Sequence, residues 1–152
     1  SLDIEDTLQV VADQTARLTQ AARSRIALID GQTGQATRVV QHGYDSRVSE
    51  STRTLIGKGL NAWVRGEKVP AISSDVTQDE RMQGVSVDEI AGENAGSMIV
   101  APLLIQDEPV GTLSAVRLAT SESFTERELE LLNMMAGQAA IAIQNAHLFE
   151  ER

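Results

Sequence analysis

The stretch that most constrains what this chain can fold into is its last one, residues 125–150. Thr125 is followed three residues later by Glu128, and Phe124 and Leu129 flank the pair. This is the pattern of a capping box with a hydrophobic staple, which marks a helix start. From there Leu129, Leu132, Ala136, Ala139, Ile143 and Ala146 step by threes and fours, while Leu131, Met134, Met135, Ala142 and Phe149 make further apolar rows. One helix face cannot hold them all. A helix apolar nearly all round must be covered on more than one side, and one domain's sheet covers only one. One row is therefore expected against the domain's own core and another against a partner. No Gly or Pro stop precedes Arg152, so the helix is expected to run on into a longer parent protein.

The chain also opens with a helix. Ile4, Leu8, Val11, Thr15, Leu18 and Ala22 recur at alternating steps of four and three, giving a narrow heptad-like stripe over residues 2–22. Two short strands, 25–30 and 36–42, follow around a Gly31-Gln32-Thr33-Gly34 turn and predict an antiparallel hairpin. Residues 43–96 are richer in Gly, Ser and acids. They predict one short helix after Gly57-Lys58-Gly59, another near 79–83, and a brief strand at 69–73 between them. A connection this long inside a compact domain is where functional loops are expected. The run 97–105 (SMIVAPLLI) is apolar without alternation, so as a strand it is covered on both faces, and Pro102 within it calls for a local edge or bulge. A turn at 106–109 returns the chain as a strand at 110–118. The order helix, strands, helical insert, strands, helix predicts an α+β fold, an antiparallel sheet with helices packed on it.

At 152 residues the chain is expected to be a single domain cut from a longer protein. Its net charge of -9 comes from acids spread along the length, and no cluster of Lys and Arg interleaved with aromatics is present, which argues against nucleic acid as a partner. The absence of cysteine excludes disulfides, thiolate metal sites and cysteine nucleophiles. The longest apolar stretch, 98–105, is far short of a membrane span, so no membrane contact is expected of this segment and the cytoplasm is its expected location.

Several of these pieces, in this order, resemble GAF domains: Gly57-Lys58-Gly59-Leu60; Ile72-Ser73-Ser74-Asp75-Val76 with Asp79 and Arg81; the run 97–104; Pro109-Val110-Gly111-Thr112-Leu113; and Phe124-Thr125 leading into 139–148. The resemblance spans essentially the whole chain. It implies a central antiparallel sheet of about six strands, the first and last helices on one face, and a small-molecule pocket between the other face and the insert. It also implies a regulatory input role, since such domains commonly precede histidine kinases, cyclases, phosphodiesterases and transcription activators.

Within that resemblance several ligand classes fall away. The cyclic-nucleotide signature is absent, because Asn61 is followed by Ala62 and Phe124 by Glu128-Leu129; a covalently held bilin needs a cysteine, as do the free methionine sulfoxide reductases of this fold. A haem needs one axial His, but His42 and His147 lie far apart without ligand-like spacing. No nucleophile, carboxylate pair or metal cluster is fixed by a motif, so no catalytic or metal-ligating residue is assigned and the segment is read as non-enzymatic. The expected pocket residues are Trp63, Ile72 and Asp75 from the insert, Ser97, Ile99 and Ala101 from one strand, and Thr112 and Ser114 from the next, because alternate residues on a strand share a face. The expected dimer and relay residues are Leu8, Val11 and Leu18 on the first helix with Leu132, Met135, Ala139 and Ile143 on the last. The reading is a small-molecule-sensing input domain of a bacterial signalling protein, a two-component sensor histidine kinase above others, with an unknown ligand and a homodimer through its terminal helices. The alternative is a ligand-free dimerisation and relay module, with a cyclic-nucleotide or haem-binding domain ranked behind both.

Overall fold

The computed structural model describes residues 3–45 and 47–150, the side chains of 147–150 excepted. Leu2, and the side chains of His147 and Phe149, therefore lie outside the described residues. The elements in chain order are α1 (Ile4–Leu18), β1 (Arg23–Ile29), β2 (Ala36–His42), α2 (Glu50–Ile56), α3 (Leu60–Glu67), β3 (Ala71–Ser73), a 3-10 turn (Glu80–Met82), α4 (Val87–Ala91), β4 (Ala95–Ile105), β5 (Glu108–Leu118) and α5 (Glu126–Glu150). All strand pairs are antiparallel, in the order β2-β1-β5-β4-β3.

The described sheet has five strands rather than about six. Between β2 and β4 only Ala71–Ser73 is extended, shortened by Pro70, which has no N–H for a ladder, and the rest of that stretch coils into short helices. The insert holds two helices, α2 and α4, that the sequence did not announce. Each is capped by a serine, Ser49 accepting from the Thr52 N–H and Ser86 from the Glu89 N–H.

Sheet register decides which residues face which layer. Ile26, Leu113 and Ala101 lie opposite one another across β1, β5 and β4, and all three belong to the core packed against α1 and α5. The next row, Gln41, Arg25, Ser114, Val100 and Ala71, therefore faces the insert. The β4 run is buried on both faces: Ile99, Ala101 and Leu103 lie under the terminal helices, and Met98 and Val100 under α3 and α4. Pro102 sits where β3 has already ended, since β3 pairs with β4 only as far as Val100, so β4 is locally an edge. The β4–β5 hairpin closes through Gln106 and Asp107, both at positive φ (51° and 66°), which matches a two-residue turn with the twist of its strands.

The last helix starts where its sequence says. The Thr125 N–H donates to Glu128 Oε1 at 2.9 Å and the Thr125 hydroxyl to Oε2 at 2.8 Å, while Phe124 and Leu129 are both buried in the main core. Its inward row is Leu129, Leu132, Met135, Ala136, Ala139 and Ile143, packed with Leu8, Val11 and Ala12 of α1 onto the sheet. This corrects the expected dimer seam. Leu8, Val11, Leu132, Met135, Ala139 and Ile143 are consumed by the domain's own core, because these helices must cover a sheet face whose centre is apolar. Of the expected residues only Leu18 is exposed. The outward apolar positions are instead Val10 and Leu18 on α1 and Met134 and Ile141 on α5.

Candidate functional site

On the insert side, between β1, β2, α2 and the connection from α4 to β4, the surface opens into a cleft of about 570 Å³. Arg23 and Arg25, two residues apart on one face of β1, form its inner wall with Gln41 of β2 and Tyr44 just beyond it. Val48 and Thr52 close one side, and Gly92, Glu93 and Asn94 the other. The carboxylates of Asp45, Asp88, Glu89 and Glu93, with Arg47, stand exposed around the opening.

Arg25 is 4% exposed. Its Nε donates to Gln41 Oε1 at 3.0 Å, and Nη1 donates to the Ile90 carbonyl. Burial lowers its pKa, since desolvation disfavours the charged form. Arg23 donates to the Ala91 carbonyl at 2.9 Å and the Glu93 carbonyl at 2.7 Å. Two of these acceptors, the Ile90 and Ala91 carbonyls, end α4, so the two arginines cap its carbonyl terminus and complement its dipole. The Tyr44 ring lies 3.9 Å from the Arg25 guanidinium and 5.7 Å from that of Arg23, measured to the ring centre. The Tyr44 hydroxyl is enclosed, and burial raises its pKa. Gly92, at φ +87°, permits this packing. A Cβ there would fall 2.5 Å from the Arg23 guanidinium carbon.

None of the eight expected pocket residues lines this cleft. Ile99 and Ala101 face the terminal helices, Ile72 packs at the edge of that same core, and the Ser97 hydroxyl accepts from the Phe124 N–H at 3.1 Å. Thr112 and Ser114 do face the insert but are buried, Ser114 directly beside Arg25 in the ladder. Trp63 is 38% exposed and stacks on Arg81, 4.9 Å from its guanidinium. Asp75 accepts from the Thr77 N–H and hydroxyl at 2.9 and 2.6 Å, which braces its own turn. Asp79 and Arg81 form a two-armed pair, 2.9 and 2.8 Å, and Arg81 also donates to the Ile72 carbonyl at 3.0 Å, tying the 3-10 turn to β3. The Arg81 guanidinium holds the Asp79 carboxyl far below the usual carboxylate range. The cleft-lining arginines escaped the sequence reading, although a signal was present: Arg23 and Arg25 stand two apart in a strand whose other residues are mostly apolar. Among the described residues no three His, Cys, Asp or Glu side chains gather as metal ligands, and no helix is long and apolar enough to cross a membrane.

The sheet order, the two helical layers and the cleft beneath the insert agree with a family comparison: the model of the GAF domain matches residues 1–144. The chain belongs to the GAF domain family. As a GAF domain it is similar to that of a phosphoenolpyruvate-protein phosphotransferase from Coxiella burnetii, with 20% identity and a TM-score of 0.83 over 100% of this chain and 89% of that one. It is also similar to a domain of a two-component sensor histidine kinase protein from Sinorhizobium meliloti 1021 described as putative, with 20% identity and a TM-score of 0.69 over 95% of this chain and 93% of that one. At these identities the likeness is one of fold. A curated relative, the dual 3',5'-cyclic-AMP and -GMP phosphodiesterase 11A of Takifugu rubripes, is 28% identical over 143 residues, which is 87% of this chain and 16% of that protein. The GAF domain thus spans about a sixth of the length of that relative. As a member of the GAF family the chain is a sensory or regulatory domain of the kind found in signalling proteins.

Proposed function

We propose that this GAF domain is the non-catalytic, cytoplasmic, small-molecule-sensing input module of a bacterial signal-transduction protein, with a two-component sensor histidine kinase as its parent. The observation that carries the sensing role is the cleft beneath the insert, of metabolite size and walled by a buried arginine. Ligand occupancy would change how the insert packs on β1 and β2. Because α1 and α5 lie on the opposite face of the same sheet, a shift in β1 would reach α1 directly and α5 through α1 and β5. The likeness to a sensor kinase domain supports the choice of parent. The test is a thermal-shift screen against a broad metabolite library, since a ligand that binds only the folded state must raise Tm. At least one compound raising Tm in a dose-dependent way is the expected result. A flat screen would sink the sensing role.

The second reading, a ligand-free dimerisation and relay module, rests on a different observation. Met134 and Ile141, seven residues apart on α5, are 65% and 60% exposed, and Val10 and Leu18 are about half exposed on α1. Polar Gln138 and Asn145 lie between and beyond them on the outward side of α5. An apolar heptad row broken by polar residues suits a helical seam of fixed register with a second copy. The two readings are compatible: the cleft senses and the outward rows assemble.

A further inference from the structure

The inner end of the cleft holds more positive charge than the domain neutralises. The groups accepting from Arg25 are the Gln41 amide oxygen and the Ile90 carbonyl, and those accepting from Arg23 are two further carbonyls, all formally neutral. Among the described residues neither guanidinium forms an ion pair with a carboxylate, although four acids stand around the same opening. A guanidinium buried as deeply as Arg25 is costly to keep charged without an anion beside it. The dipole of a five-residue helix and the face of one aromatic ring offset that cost only in part.

The Tyr44 hydroxyl points to the same conclusion independently. It is shut away from solvent and, among the described residues, has no hydrogen-bond partner, where a buried phenol ordinarily has one. A donor left open next to two unpaired guanidinium groups has the complement of an anion's oxygens.

We propose, on the reading that this cleft is the sensory site, that its inner end seats the carboxylate or phosphate group of a small metabolite. Arg25 and Arg23 supply the charge, and the Tyr44 hydroxyl, enclosed in the free domain, donates one hydrogen bond once the ligand opens its surroundings. The opening constrains the rest of the ligand. Asp45, Asp88, Glu89 and Glu93, four carboxylates against the single cation Arg47, disfavour a second negative group, so the outer end of the ligand is cationic or rich in hydroxyls. The chemical class is therefore a small molecule with a single anionic group and a polar far end, such as a neutral amino acid or a sugar monophosphate.

A role confined to capping α4 predicts something else, and Tyr44→Phe separates the two. It keeps the ring against Arg25 and both arginine caps and removes only an unpartnered oxygen. The experiment is an amide NMR titration of the chain with glutamine as the carboxylate probe, glucose 6-phosphate as the phosphate probe and glucose as the uncharged control, at constant ionic strength. The expected result is saturable movement of the Tyr44 and Gly92 amides with at least one anion, and the anion that binds identifies the source. Tyr44→Phe should then weaken that anion roughly tenfold while the Tm of the free protein holds or rises, because losing one charge-assisted hydrogen bond is that large an effect. Arg23→Gln should weaken it as well. Anion binding indifferent to both substitutions overturns the seat, as does saturable binding of glucose alone or no response to either anion. In those cases the sensing role stands or falls separately, by the thermal-shift screen.

Discussion

The Arg117 guanidinium lies 4.5 Å from the centre of the Phe124 ring, and through that stack one side chain joins both terminal helices to the sheet. Arg117 leaves β5, donates to the Thr19 carbonyl at 2.8 Å where α1 ends, reaches the Glu122 and Ser123 carbonyls, and pairs with Glu128 of α5 at 3.5 Å. A change at the end of β5 reaches both helices through this residue as well as through the core. Arg117→Ala is expected to cost about 2–3 kcal/mol, from several lost charge-assisted hydrogen bonds and the uncovered Phe124 face. Urea unfolding checks the value, and a loss under 0.5 kcal/mol would remove Arg117 as a coupling residue.

Glu128→Ala should loosen the start of α5. It removes the acceptor of the Thr125 N–H and hydroxyl and the partner of Arg117, with an expected loss of about 1 kcal/mol, typical of an N-cap. Hydrogen exchange should then be fastest in the first turn of α5 and unchanged at Leu132 and beyond.

The Asp79–Arg81 pair gives the domain part of its acid sensitivity. Arg81 depresses the Asp79 carboxyl in the folded state, so the stabilisation is complete above the unfolded value near 3.9 and is lost as pH falls through the lower folded one. Asp79→Asn is expected to lower stability by about 2 kcal/mol at neutral pH and to flatten the fall in stability below about pH 4. Parallel pH profiles for the variant and the parent would contradict this.

Much of the fold was legible because its signals are local. The Thr125 and Glu128 pair, the unbroken apolar run of β4 and the Gly57-Lys58-Gly59 entry to α3 each depend on a few neighbouring residues. The position of the site was not, because it depends on register. Across β4 and β5 odd residues lie opposite odd ones, as Ile99 faces Ala115 and Ala101 faces Leu113, so Ser97, Ile99 and Ala101 share no face with Thr112 and Ser114. A register one residue different would have united them. The rows of α5 posed the same problem: Leu132 and Met134 are both apolar and two apart, and only the sheet beneath decides that one is 0% and the other 65% exposed.

That contrast gives a prediction about the outward surface. Leu132→Ala should cost about 2–5 kcal/mol through a cavity in the main core. The double variant Met134→Glu, Ile141→Glu should stay within about 0.5 kcal/mol of the parent yet shift a dimer to monomer in light scattering. A parent that is monomeric at high concentration would exclude the outward rows as a seam.

Gly92 ties backbone shape to the cleft. At φ +87° and ψ 167° it occupies a region open to glycine alone, and any Cβ meets Arg23. Gly92→Ala should cost about 1–3 kcal/mol and displace Arg23 from α4. A crystal structure of the variant would reveal the displacement, or its absence.

The central claim is that a small molecule in the cleft is felt at the far side of the sheet. Amide NMR of the domain, titrated with a compound that raises its Tm, tests this most directly. The account predicts saturable shifts at Tyr44 and Gly92, with matching shifts of the same midpoint at Thr19, Arg117 and the first turns of α5. Shifts that leave the cleft amides untouched, or that stop at the cleft and never reach Arg117 and α5, would contradict it.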